Sequence, residues 1–113
     1  MSVPIQVTFR GIDPSDALSE LIEKESAKLD AIFDRIVRCH VIVEKLERHL
    51  HNGAPFRVSI DLTVPGAEIA VDTERHRTAE NDAIHKDPAL TIRDAFRRAR
   101  RRLQERIRRR RGT

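Results

Sequence analysis

The sequence predicts an α+β fold in the order β-α-β-β-β-α, a four-stranded sheet with two helices packed on one face. Three observations carry that expectation. Four short segments alternate apolar and polar residues with a period of two, two longer segments repeat apolar residues at helical spacing, and each strand is apolar on one side only. Strands of that kind need both helices on the same side of the sheet.

Ile5, Val7 and Phe9 alternate with Gln6, Thr8 and Arg10 just after Pro4, and Gly11 ends this first strand. Asp13-Pro14 reads as a helix start, with proline in the first turn and the acids Asp16 and Glu20 near the positive end of the helix dipole. Leu18, Leu21, Ile22, Leu29, Ile32 and Phe33 then form one apolar stripe that runs to about residue 33. From Ile36 to Leu46 a β-branched run sets Val37, Cys39, Val41 and Val43 on one side, with Arg38, His40 and Glu44 mostly on the other. Beyond a polar turn from His49 to Pro55, the residues Phe56, Val58, Ile60, Leu62 and Val64 alternate with Arg57, Ser59, Asp61 and Thr63. Pro65-Gly66 marks a tight turn, and Ala67, Ile69 and Val71 continue the alternation in a fourth strand. The last three strands are expected as an antiparallel meander, and a right-handed crossover makes the first two parallel.

Thr73 to Lys86 is polar and carries no period, so it reads as a long connection, mobile or partly disordered. Asp87-Pro88 repeats the helix-start pattern. On a helical wheel Ile92, Phe96, Ala99 and Leu103 share a narrow sector, with Ala89, Ala95 and Ile107 at its edges. Arg106 and Arg110 fall in that same sector. A helix over 88–111, about 36 Å long, is therefore expected to project its last turn or two beyond the body.

At 113 residues, 39% apolar and 35% charged, the chain fits a single domain over 1–113. Its formal charge of +4 conceals a strong asymmetry. Residues 1–92 hold 11 basic and 16 acidic side chains, net −5, whereas residues 93–113 hold 11 arginines and two acids, Asp94 and Glu105, net +9. No run of about 18 uncharged apolar residues occurs and the N-terminus lacks a basic-then-apolar leader, so a cytoplasmic protein with no membrane partner is expected. The single cysteine, Cys39, sits in an apolar run and reads as a reduced core thiol.

Candidates for chemistry are few. His49 and His51 belong to the hairpin tip and His76 and His85 to the long connection, without metal-ligand spacing, so they read as surface histidines with no metal or cofactor. The acid pairs Glu23/Glu25 and Glu44/Glu47 lie on solvent-facing stretches, and nucleophile motifs and glycine-rich phosphate loops are absent. Neither an enzyme nor a small-molecule substrate is expected.

The arginine cluster at 93, 97, 98, 100–102, 106 and 108–111 is the strongest functional signal. A merely solvated helix face mixes both signs at i,i+4 spacing, whereas this one is almost wholly arginine, whose planar fork suits phosphate. Nucleic acid is the favoured partner over an acidic protein or a membrane surface, because the apolar stripe already has a sheet to cover. Phe9, Phe33, Phe56 and Phe96 all fall on core faces and there is no Trp or Tyr, so a base-stacking platform is not expected. A rigid arginine helix suits structured RNA, read through its backbone and grooves.

Asp16-Ala17-Leu18, Lys28-Leu29-Asp30 and Phe33-Asp34-Arg35-Ile36 resemble the first-helix signature of the bacterial ribosome hibernation factors, also called ribosome-associated inhibitor or sigma-54 modulation proteins. In the second helix Asp87, Ile92, Arg98 and Arg101 resemble that family's spaced pattern, and the element order agrees over nearly the whole chain. Ala89 stands where the family usually has Tyr, Glu25 where it has Lys and Arg93 where it has Asp, which moves positive charge from the first helix to the second. The connection 73–86 is about ten residues longer than is typical of the family. The resemblance implies a protein that sits on the small ribosomal subunit, in the channel between head and body that holds mRNA and tRNA, and silences ribosomes in stationary phase or stress. It further implies a short member, without the C-terminal domain by which long members pair ribosomes.

On this reading the basic C-terminal helix grips rRNA phosphates through Arg97, Arg98, Arg101, Arg102, Arg108 and Arg109, assisted by Lys28 and Arg35. A stand-alone double-stranded RNA-binding module and a basic protein-interaction adaptor are the alternatives, and the oligomeric state is left open.

Overall fold

The computed structural model describes residues 4–46, 55–76, 78, 80 and 83–111. Strand β1 (Ile5–Arg10) is followed by α1 (Asp16–Ile32), β2 (Arg38–Lys45), β3 (Phe56–Val64), β4 (Ala67–Asp72) and α2 (Pro88–Arg111). Two short 3-10 turns, Thr73–His76 and Ile84–Lys86, lie between β4 and α2. The sheet order is β1-β2-β3-β4, with β1 parallel to β2 and the other neighbours antiparallel. This is the α+β arrangement that the alternation predicts.

The register shows why parity decides the layers. Cys39 faces Leu62, Val41 faces Ile60 and Val43 faces Val58, and all six are fully buried. Ile69 and Val71 extend the same apolar surface onto β4. Against it lie Ile22 and Leu29 from α1 and Ile92, Ala95, Phe96, Ala99 and Leu103 from α2, in one continuous core. Helix α2 runs over β3 and β4 with α1 beside it. Phe96 is fully buried, whereas Phe9, Phe33 and Phe56 are half-buried.

Several expectations are corrected in detail. The cap of α1 is Ser15, whose hydroxyl accepts a hydrogen bond from the Leu18 backbone N–H at 3.2 Å, so Pro14 lies outside the helix and not in its first turn. In α2 the expected pattern holds: Asp87 Oδ1 accepts from the N–H groups of Ala89 (2.8 Å) and Leu90 (3.2 Å), and Pro88 takes the first helical position. Val37 does not join the inner side of β2. It is 54% exposed and Ile36 takes the core position, because the chain is still leaving the turn at Asp34–Arg35 and strand parity begins only at Arg38.

The connection after β4 is docked at both of its described ends. The Thr73 hydroxyl accepts from the Val58 backbone N–H at 3.0 Å, extending the β3–β4 ladder, and His85 is fully buried against α2. The Thr73 hydroxyl and His85 Nε2 can be buried there because each meets a partner. Finally, α2 stays on the body to Ile107, one turn beyond Leu103. Arg106 is half-buried with its guanidinium against the Gly66 turn, its methylene stem covering apolar surface while its charged end reaches water. Arg108, Arg109 and Arg110 are exposed, and the molecule measures 48 × 29 × 18 Å.

Glycine is required where β1 ends. Gly11 has a φ of +70°, and a Cβ there would stand 2.9 Å from the Lys45 carbonyl oxygen.

Candidate nucleic-acid interface

Residues three and four apart on a helix share a face, and two such rows meet between α1 and α2. Leu21, Lys24, Glu25 and Lys28 from α1 and Leu90, Arg93, Arg97 and Arg100 from α2 line a groove of about 380 Å³, with Ile84 from the second 3-10 turn completing its wall. Its apolar parts are Leu21, Ile84 and Leu90, and five cations surround them. Lys24, Arg93 and Arg100 have no ion pair or side-chain hydrogen bond among the described residues.

The two acids that touch the groove are buried and paired. Glu25, expected to face solvent, instead lies buried and accepts from Lys28 Nζ at 2.8 Å. Asp94 accepts from Arg97 Nη2 through Oδ1, and from Arg98 Nε at 3.2 Å and His85 Nε2 at 3.3 Å through Oδ2. Burial by itself pushes the Asp94 carboxyl up, but the hydrogen bonds from Arg98 and His85, the Arg98 charge and the Arg97 bond outweigh it and hold the group below its ordinary value. With both acids engaged, the field in the groove is set by the cations.

The eight residues predicted to bind RNA do not converge on one spot. Lys28 and Arg97 stand on the groove, both about half exposed though paired. Arg98 turns toward Asp94 and is only 22% exposed, while the Arg102 guanidinium hydrogen-bonds the Ala70 carbonyl at the edge of β4. Arg101 and Arg108 are exposed on the outer ridge of α2, and Arg109 stands beside them 3.9 Å from Glu105. Arg35 lies at the other end of α1, where it borders a second cavity of about 580 Å³ with Arg106 and Arg110.

Sequence reasoning placed Arg93 and Arg100 in the arginine cluster but not among the eight, and it missed Lys24. The signal was present as spacing: 24 and 28 on one helix, and 93, 97 and 100 on the other, form single rows. His85 is a further correction, for it is a fully buried hydrogen-bond donor and not a surface histidine.

A family model described as sigma 54 modulation protein / S30EA ribosomal protein matches residues 5–111. The chain belongs to this S30EA family. Among solved structures, the S30EA chain is similar to a ribosomal subunit interface protein from Coxiella burnetii, with a TM-score of 0.66 and 23% identity over 91% of this chain and 96% of that one. It is also similar to the N-terminal domain of Thermus thermophilus Protein Y, with a TM-score of 0.64 and 21% identity over 93% and 98% of the two chains. At such identities the likeness concerns the fold. No curated protein matches the chain.

Other chemistry finds little support in the S30EA chain. Cys39 is buried and its thiol is pushed up to about 11 by burial, with Ser26 pulling the other way and Asp61 adding to the rise, so it holds its proton at neutral pH. Among the described residues no three of His, Cys, Asp and Glu gather as metal ligands; His49 and His51 lie outside those residues. No described helix is long and apolar enough to cross a membrane.

The sheet face opposite the helices is charged in a different manner. Arg57 donates to both carboxylate oxygens of Asp72, at 3.0 and 2.6 Å, and lies 3.6 Å from Glu44. The Asp72 hydrogen bond is the main reason the Arg57 guanidinium is held even more firmly protonated than usual. Thr8 Oγ1 and His40 Nε2 are 3.1 Å apart on the same face.

Proposed function

We propose that this S30EA chain is a ribosome-binding hibernation factor that inhibits translation by occupying small-subunit rRNA near the mRNA and tRNA channel. The observation that carries the reading is the groove, in which Lys24, Lys28, Arg93, Arg97 and Arg100 from two helices border one apolar-floored channel while the neighbouring acids are buried and paired. Such a strip meets successive backbone phosphates, with Arg101 and Arg108 on the outer ridge as a second row. The fold shared with a ribosomal subunit interface protein supports the ribosome as the source of the RNA. The binding requires no catalysis.

The test is sedimentation with purified small subunits, with nuclease and high-salt controls. The chain is expected to travel with the subunits and to be displaced by mRNA plus initiator tRNA. Displacement by any RNA duplex alone would instead favour a stand-alone double-stranded RNA module, and nuclease-resistant capture by an acidic protein would favour an adaptor.

A further inference from the structure

His85 is the one histidine among the described residues that is fully buried, and nothing in the groove's contact with RNA requires it. It comes from the connection before α2, and its ring makes one hydrogen bond there, from Nε2–H to Asp94 Oδ2, while Nδ1 is buried without a partner. A carboxylate only accepts, so the partner fixes the tautomer with the proton on Nε2. Asp94 in turn stands between Arg97 and Arg98, whose side chains leave the helix about 100° apart, and engages one through each oxygen.

We propose that His85 and Asp94 form a positioning pair that aims Arg97 and Arg98 at an RNA backbone. His85 holds the carboxylate in place from outside the helix. The carboxylate relieves the repulsion between the adjacent guanidiniums and limits the directions each can take, so less side-chain freedom is lost when phosphate arrives. Arg97 remains 56% exposed, with its other N–H groups available to phosphate. A neighbouring hydroxyl secures the groove wall. One turn before Asp94, the Thr91 hydroxyl shares its proton between the carbonyls of Asp87 at 2.7 Å and Ile84 at 3.3 Å, and Ile84 lines the groove.

The inference rests on the RNA-binding reading, and two probes keep their failures apart: a fluorescent RNA duplex of about 16 base pairs and purified small ribosomal subunits. Loss of subunit binding with duplex binding retained would overturn the ribosomal assignment and leave the positioning test intact. His85→Leu is expected to weaken binding about threefold to tenfold on each of the two probes that the native chain binds, and His85→Gln, whose amide can donate from nearly the same point, to restore most of it. In an R97A/R98A background His85→Leu is expected to change nothing. An equal loss in that background would overturn the proposal, because a general structural defect does not depend on which arginines are present.

Should His85→Leu fail to fold, Asp94→Asn decides the same question. It removes a negative charge, so charge alone predicts tighter binding, whereas positioning predicts binding about threefold to tenfold weaker. Tighter binding overturns the proposal. A readout without RNA completes the test: by NMR the Arg98 Nε–H should exchange slowly with solvent in the native chain and in H85Q, and rapidly in D94N. Equal exchange in all three would also overturn it.

Discussion

The two broad faces of the molecule carry similar residue types and use them in opposite ways. On the open sheet face Arg57 is locked between Asp72 and Glu44, so its charge is spent within the sheet. In the groove on the helical face Glu25 and Asp94 are sunk and paired, while Lys24, Arg93, Arg100, Arg101 and Arg108 keep no partner among the described residues. A count of charges does not separate the faces. Arg10 and Arg38 on the sheet face also lack an anion among the described residues, so what separates the faces is that the helical one gathers several cations in one strip beside buried, paired acids, where they can release counterions from a nucleic acid together.

The largest test of that contrast removes Arg93, Arg97 and Arg100 together. Replacing all three with Ala should lower the slope of log affinity against log salt by up to about three and weaken RNA binding about a hundredfold at moderate salt. Titrations at several salt concentrations measure both, and an unchanged slope would break the comparison. Next comes acid. The Asp94 carboxyl is lower in the folded chain than in the unfolded one, so its contribution to stability is complete above the ordinary carboxylate range and disappears as pH falls through the folded value. Thermal melts from about pH 6 to about pH 2 should show a steeper loss for the native chain than for D94N, and parallel losses would remove Asp94 from the account of acid stability.

Arg57→Ala is the counterpart on the sheet. It should lower stability by about 0.5–1 kcal/mol, since the pair is partly exposed, and leave the salt slope of RNA binding where it was. A change in slope would mean that the sheet face also meets RNA. The smallest effect belongs to Val37→Thr, expected within about 0.5 kcal/mol in denaturant unfolding because the side chain is more than half exposed.

The order of elements and the core were legible because one-sided burial imposes parity on strands and a sector on helices. Val58, Ile60 and Leu62 are buried as their alternation requires, and so are Ile92, Phe96, Ala99 and Leu103. What escaped depends on partners that sequence distance hides. His85 is polar and lies in a segment without period, and only the fold sets it against Asp94. Ser15 displaced Pro14 from the helix start because its hydroxyl accepts from the Leu18 N–H, a cap that a proline side chain cannot supply. Arg106 looked like the end of the core because a wheel records angle and ignores the length of a side chain.

Arg102, expected to bind RNA, has a consequence for how the protein behaves in company. In a hairpin closed by a two-residue turn, alternate residues of β4 leave their carbonyls pointing away from β3, and Ala70 is one of these. The Arg102 guanidinium occupies that oxygen at the sheet's outer margin. A strand from another chain would have to displace it before it could zip onto β4. The arginine helix thereby guards an open edge against aggregation, a service that matters more the more crowded the protein becomes.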